Sequence, residues 1–224
     1  MAIRLGGINP NAFRVGTQTP SRIFIGDRQA WPEFAEVRQQ FTNTGNYTFN
    51  IPALCVFIDV ILLGGGGGGQ GMGNATAWGK GGDAGNWEIV TLRRGVDIPW
   101  TTTTITGSVG VGGKAGDGGL YLGNNGPGGP GGNTTAIITG LGTLTALGGA
   151  GGHERNLDTA GKSPGTRNVN GIDYVGGEEA NGIAGSQAGN PPGGGGQASR
   201  TSTGFFGIAG GAGARGQAWY RAYI

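Results

Sequence analysis

Glycine returns at every third position through four separate stretches of this chain. They are Gly79, Gly82 and Gly85; Gly107, Gly110, Gly113, Gly116 and Gly119; Gly123, Gly126, Gly129 and Gly132; and Gly207, Gly210, Gly213 and Gly216. That spacing matches a polyproline-II helix, which turns once per three residues, and lines glycine along one edge of it. With no Cβ on that edge, backbones can approach closely. The phase breaks between stretches and no Gly-X-Y register is sustained, so collagen is excluded. Two readings stay open: packed polyglycine-II segments, or ordered but irregular loops. Fixing either costs roughly 1–2 kcal/mol of backbone entropy per residue. Backbone hydrogen bonds between neighbouring extended segments, or burial in an oligomer, must offset that cost. This is a physical reason to expect a multimer.

With 55 glycines and 10 prolines among 224 residues, disorder is the default expectation. Two features oppose it. Charged residues are only 12% of the chain and the net charge is +2, so little self-repulsion extends it. Apolar residues also gather into strand-length blocks, above all Val56–Leu63. The composition therefore implies an all-β fold: a β-sandwich or jelly-roll-like domain with long glycine-rich loops.

Residues 1–35 are the least glycine-rich and read as a small β module, with strands near Phe13 and Val15 and at Arg22–Ile25, and a turn at Gly26-Asp27. Residues 36–224 form the glycine-rich β domain. Glu33–Phe41 carries both helical and alternating spacing, and the alternation favours a strand. Thr44-Gly45-Asn46 then turns the chain into the alternating Tyr47, Phe49 and Ile51, a hairpin signature. Val56–Leu63, apolar on both faces except at Asp59, reads as a central strand covered on each side. Further strands are expected at Trp87–Leu92, Thr101–Val109, Thr134–Thr139, Thr143–Leu147 and Gln217–Ile224. Asn170-Gly171, between Val169 and Ile172–Val175, signals a tight hairpin.

Little here suggests chemistry. The glycines after Val56–Leu63 satisfy a dinucleotide-binding pattern trivially, and no helix follows to meet a phosphate. Gly161-Lys162-Ser163 has Asn156 where a P-loop needs glycine, and Pro164 follows at once. One histidine, His153, and one cysteine, Cys55, do not make a metal site. Cys55 reads as a core thiol. Glu178 and Glu179 are acidic loop residues with no spacing that singles them out as a glycosidase pair. No cofactor, metal or catalytic residue is expected, and basic clusters that would suit nucleic acid are absent. The N-terminus shows no apolar signal region, and Ile51–Leu63, interrupted by Pro52 and Asp59, is too short to cross a bilayer. More suggestive are aromatics flanked by small or polar residues: Trp78, Tyr121, Tyr174, Phe205 and Phe206. They are candidates for surface recognition, or alternatively plugs between segments that lack side chains of their own.

The run Phe41–Ala53, the strand after it, and Leu63–Gly69 resemble the opening of a phage glycine-rich tail domain. The similarity continues through Gly126–Thr135, Ala146–Gly152, Pro191–Gly196 and Gly210–Gly216 to the terminal strand. In order, these are similar to the glycine-rich minor tail proteins of long-tailed phages infecting mycobacteria. Ser21–Pro32 likewise resembles a β module that precedes many such domains. The resemblance implies a non-enzymatic virion component at the tail tip or on a fibre, made in the host cytoplasm. It implies a homotrimer, contacts with other tail proteins through the N-terminal module, and contact with the bacterial cell envelope. The competing expectations are an ice-binding or matrix-type polyglycine protein and a tail-associated glycan hydrolase.

Overall fold

The computed structural model describes residues 17, 20, 22–25, 28–31, 34–73, 79–119, 126–153, 158–200 and 207–224, and these contain strands, turns and extended segments but no helix of the α type. The strands are β1 (Ile23–Ile25), β2 (Arg28–Trp31), β3 (Val37–Phe41), β4 (Gly45–Asn50), β5 (Phe57–Leu63), β6 (Trp87–Arg93), β7 (Thr104–Val109), β8 (Thr134–Ile138), β9 (Gly142–Ala146), β10 (Thr166–Val169), β11 (Ile172–Val175) and β12 (Gln217–Tyr223). Two antiparallel four-stranded sheets, ordered β3-β12-β5-β6 and β4-β7-β8-β9, pack as a sandwich. β1 pairs with β2, and β10 with β11, as separate two-stranded ribbons.

Alternation decides which side chains enter the sandwich. In β4, Tyr47 and Phe49 are buried while Asn46, Thr48 and Asn50 are exposed. β5 supplies Ile58, Val60 and Leu62 to the same core. Its opposite face carries Asp59 and Ile61, also fully buried, so β5 is covered on both sides as its pattern predicts.

The expected hairpin across Thr44–Asn46 does not form. β3 and β4 lie in different sheets, β3 beside β12 and β4 beside β7. The chain turns a corner from one sheet to the other through residues 42–44, with Gly45 at φ 101°. Burial explains the outcome: Phe41 and Tyr47 stack with centroids 4.4 Å apart inside the sandwich, instead of facing one another along a ribbon.

The Tyr47 hydroxyl donates to the carbonyl of Thr135 at 2.7 Å and lies 2.9 Å from the Tyr220 hydroxyl, and Phe49 stacks on the Tyr220 ring with centroids 4.4 Å apart. Burial pushes Tyr47 up to about 12, and burial together with Tyr47 pushes Tyr220 further the same way. A phenol whose pKa is raised by folding contributes stability that is complete below its unfolded value and lost as pH climbs through the folded one. We therefore expect stability to hold to about pH 10 and then fall, Tyr47 alone removing about 2–3 kcal/mol by about pH 12. Urea unfolding followed across that window checks this; an unchanged midpoint would contradict it.

At Leu63, Val109 and Ala146 the strands leave the sheets and continue as extended threefold segments. The segments 79–86, 126–133 and 207–216 return and enter β6, β8 and β12. Residues 64–72 run along the axis of the resulting bundle. Their N–H groups bond in rotation: those of 64, 67 and 70 to the carbonyls of Asn86, Asp83 and Lys80; those of 65, 68 and 71 to Gly132, Gly129 and Gly126; those of 66, 69 and 72 to Ala214, Gly211 and Ile208. Partner numbers fall as donor numbers rise, so these three neighbours are antiparallel. Carbonyls turn the other way. Gly65 and Gly68 accept from Gly149 and Gly152, Gly66 and Gly69 from Gly113 and Gly116, and Gly67 and Gln70 from Gly196 and Ser199, all in parallel. The axial segment thus has six neighbours, bonded at 2.8–3.0 Å. This is polyglycine-II packing, in which a three-residue turn sends hydrogen bonds out in every lateral direction where a strand sends them in one plane.

The sequence follows from that geometry. A Cβ at Gly66, Gly67 or Gly68 would sit 2.1, 2.0 or 1.9 Å from the carbonyl oxygen of Gly194, Ala150 or Lys114, so residues 64–69 admit no side chain on any side, and only Gln70 and Met72, further along the axial segment, carry one. Peripheral segments need glycine where they face the axis or a neighbouring segment closely, and carry side chains elsewhere. Between 110 and 117, Gly110, Gly113 and Gly116 are buried while Val111, Lys114 and Asp117 face solvent. Pro127 and Pro130 are exposed at the same period, where their fixed φ suits the helix and no N–H is needed.

Candidate functional site

The hairpin of β10 and β11 lies over the outer face of β12-β5-β6. Its turn needs two left-handed residues, and Asn170 and Gly171 supply them at φ 48° and 79°. Positive φ at Asn170 places its side chain against the sheet, where Nδ2 donates to Asp59 at 2.8 Å. Asp59 is fully buried and also accepts from Thr91 at 2.7 Å and Tyr223 at 3.2 Å. Arg221, 3.5 Å from Asp59, pairs with Glu36 at 2.8 Å. Burial together with Asp59 pushes the Tyr223 phenol up to about 12. A buried carboxylate with this many donors fixes the hairpin in place.

Under the hairpin, Ile61, Val169 and Tyr174 form a second apolar cluster with Trp87, Ile172 and Trp219 against it. Trp87 and Trp219 stack at 5.5 Å, and Tyr174 meets Trp219 edge-on at 5.7 Å. Trp87 donates from Nε1 to the carbonyl of Pro164 at 2.9 Å. Between the hairpin and edge strand β3 a cleft of about 530 Å³ remains, with Arg38, Gln39 and Gln40 on one side, Ile172–Val175 on the other, and Gln217 and Trp219 in its floor. Gln217 is positioned by Arg215, which donates to its Oε1 at 3.2 Å, and itself donates to Gln40 at 3.2 Å.

Of the aromatics singled out in the sequence, Tyr174 lines this cleft, but not as an exposed ring: it is 7% exposed and packs on Trp219. The gap-filling alternative describes its ring. Trp78, Tyr121, Phe205 and Phe206 lie outside the described residues. Their segments, 74–78, 120–125 and 201–206, connect outgoing to returning members of the bundle, as does 154–157. Reasoning from the sequence missed Trp219, Gln40 and Gln217. The pairing of Trp219 with Gln40 across β12 and β3 is a register between residues far apart in the chain, with no local signal.

At the other side of the sandwich, Arg22 donates to the carbonyl of Ala53 at 3.0 Å and lies 4.2 Å over the Trp100 ring. Arg94, buried to 5% exposure, donates to the carbonyls of Pro52, Ala53 and Trp100 at 2.8–3.0 Å. Cys55 is buried beside it, and burial pushes its thiol up. It is a core thiol. Among the described residues no three His, Cys, Asp or Glu side chains converge as metal ligands.

The model of the glycine-rich domain family matches residues 42–223, which takes in both sheets, the bundle and the hairpin. The chain is 55% identical over 204 residues to the Gene 32 protein of Mycobacterium phage D29, covering 90% of each chain. It is 54% identical over 204 residues to the Gene 32 protein of Mycobacterium phage L5, covering 90% of this chain and 89% of that one. On that match and those phage-encoded relatives, the chain belongs to the glycine-rich domain family.

Proposed function

We propose that this chain is a structural component of a phage tail, at its tip or on a fibre, and that it takes part in attachment to the host envelope without catalysing a reaction. The observation that carries the reading is the bundle itself. Its axial backbone is hydrogen-bonded on all sides, and it springs from one end of the sandwich. Such a bundle is a firm scaffold for the connections between its segments in the chain, and connections on a firm scaffold suit recognition at a surface. The aromatics Trp78, Tyr121, Phe205 and Phe206 fall in those connections and supply stacking faces for an envelope component. The N-terminal module, docked through Arg22, serves attachment to other tail proteins. Kinship with proteins of two mycobacterial phages supports the phage-encoded part of the reading.

Antibody labelling of intact particles and adsorption of purified protein to mycobacterial cells test the reading together. We expect label at the tail end, and adsorption reduced at least about tenfold by a Phe205→Ser, Phe206→Ser double variant. Absence of the chain from particles would refute the tail role. Adsorption untouched by changes in all four connections would refute the attachment role.

A further inference from the structure

We propose that the cleft between β3 and the β10–β11 hairpin binds a neutral sugar ring. This goes beyond a place in the virion, and it can be read on the purified chain whether or not the tail reading holds.

The cleft has the size of a small-ligand site, about 530 Å³. Its aromatic members have unspent polar tips. The Tyr174 hydroxyl and the Trp219 Nε1 make no hydrogen bond among the described residues, yet neither atom is sealed from solvent. Trp87, by contrast, has its N–H bonded to Pro164. An apolar ring edge beside a free donor is the arrangement that meets a sugar, whose C–H face is apolar and whose rim is hydroxyl. The Gln40–Gln217 pair adds donors and acceptors on the same side.

Charge selects the class of ligand. Arg38 is paired with Glu36, and Asp173 accepts from Asn168 at 2.6 Å. Arg38 therefore has its carboxylate partner, while Asp173, exposed and bonded to a neutral amide, keeps a negative charge at the rim that opposes an anionic ligand. A neutral, polyhydroxylated ring satisfies the free donors and acceptors without displacing those contacts.

The full chain is titrated with galactose, mannose, arabinose and glucose, and with glucuronate as the charged counterpart, following tryptophan fluorescence and saturation-transfer NMR. One or more neutral sugars should saturate with a dissociation constant of about 1–10 mM, the range for so small a ligand. Tyr174→Phe removes only an unpartnered hydroxyl, so the unfolding midpoint should hold while binding weakens about fivefold. Gln40→Ala should weaken it similarly, and Thr48→Ala, on the outer face of the other sheet, should not. No saturable response to any neutral sugar, a preference for glucuronate, or binding unaltered in both Tyr174→Phe and Gln40→Ala would each overturn the assignment.

Discussion

Gly67→Ala yields no stably folded bundle, although it adds a single methyl group. An added Cβ at Gly67 falls 2.0 Å from the carbonyl oxygen of Ala150 and 2.4 Å from its carbon, both backbone atoms. Ordinary carbon contacts lie near 3.5–4.0 Å, so segment 148–152 would have to retreat by about 1.5 Å. It cannot do so alone. Gly149 and Gly152 donate to Gly65 and Gly68, Gly131 and Gly128 donate back to Gly149 and Gly152, and Asp83 donates to Ala150. Displacing one segment breaks bonds to several. The cost exceeds about 4 kcal/mol, beyond the usual range of point substitutions and a large part of a domain's stability. Gly45→Ala separates this effect from backbone strain. Gly45 has φ 101° with nothing within 4 Å of an added Cβ, so only conformational strain opposes it, about 1–2 kcal/mol. Lys114→Ala, on an outward position of the same bundle, should change stability by less than about 0.5 kcal/mol. Urea unfolding of the three variants gives the order. A Gly67→Ala protein as stable as Gly45→Ala would mean that the axial segment is not close-packed.

The threefold glycine spacing allowed two readings, and the hydrogen bonds choose polyglycine-II. Gly113 and Gly116 face the axis while Lys114 and Asp117 face water, as a one-edged helix requires. What the spacing could not convey is how many neighbours each segment has. Gly64–Gly69 shows why: six successive glycines look like low complexity, whereas the structure uses each for a separate close approach. The entropic argument for a multimer also changes. Lateral partners for the axial segment all come from the same chain, so a trimer rests on resemblance rather than on need. Strands with alternating or continuous apolar patterns, β4 and β5 among them, were legible because burial writes a local period. The corner between β3 and β4 was not, since Thr44-Gly45-Asn46 carries turn residues that serve a corner as well as a hairpin. The cleft was half legible. Tyr174 stood out by its setting, but Trp219 and Gln40 meet only through the long-range register of β12 with β3.

The second large effect is expected at Asp59. In Asp59→Ala, Asn170, Thr91 and Tyr223 lose their shared acceptor, and Arg221 keeps Glu36 and the Asn170 carbonyl. Losing one member of a buried charged network costs about 3–5 kcal/mol, whereas a single exposed pair costs under about 1 kcal/mol. Part of the loss is local to the hairpin, because the Asn170 side chain reaches the sheet only through Asp59, Thr91 and Tyr223. Residues 166–175 should therefore lose amide-exchange protection first, and emission from Trp87 and Trp219 should shift to the red as water reaches the stacked pair. Asn170→Gly preserves the positive φ and deletes only the amide, so it should cost about 1 kcal/mol and leave most of that protection. Because the hairpin forms one wall of the cleft, Asp59→Ala should also abolish the fluorescence response to sugar under conditions where the sandwich remains folded. Retained protection over 166–175 in Asp59→Ala would show instead that the apolar cluster of Ile61, Val169 and Tyr174 holds the hairpin without the carboxylate.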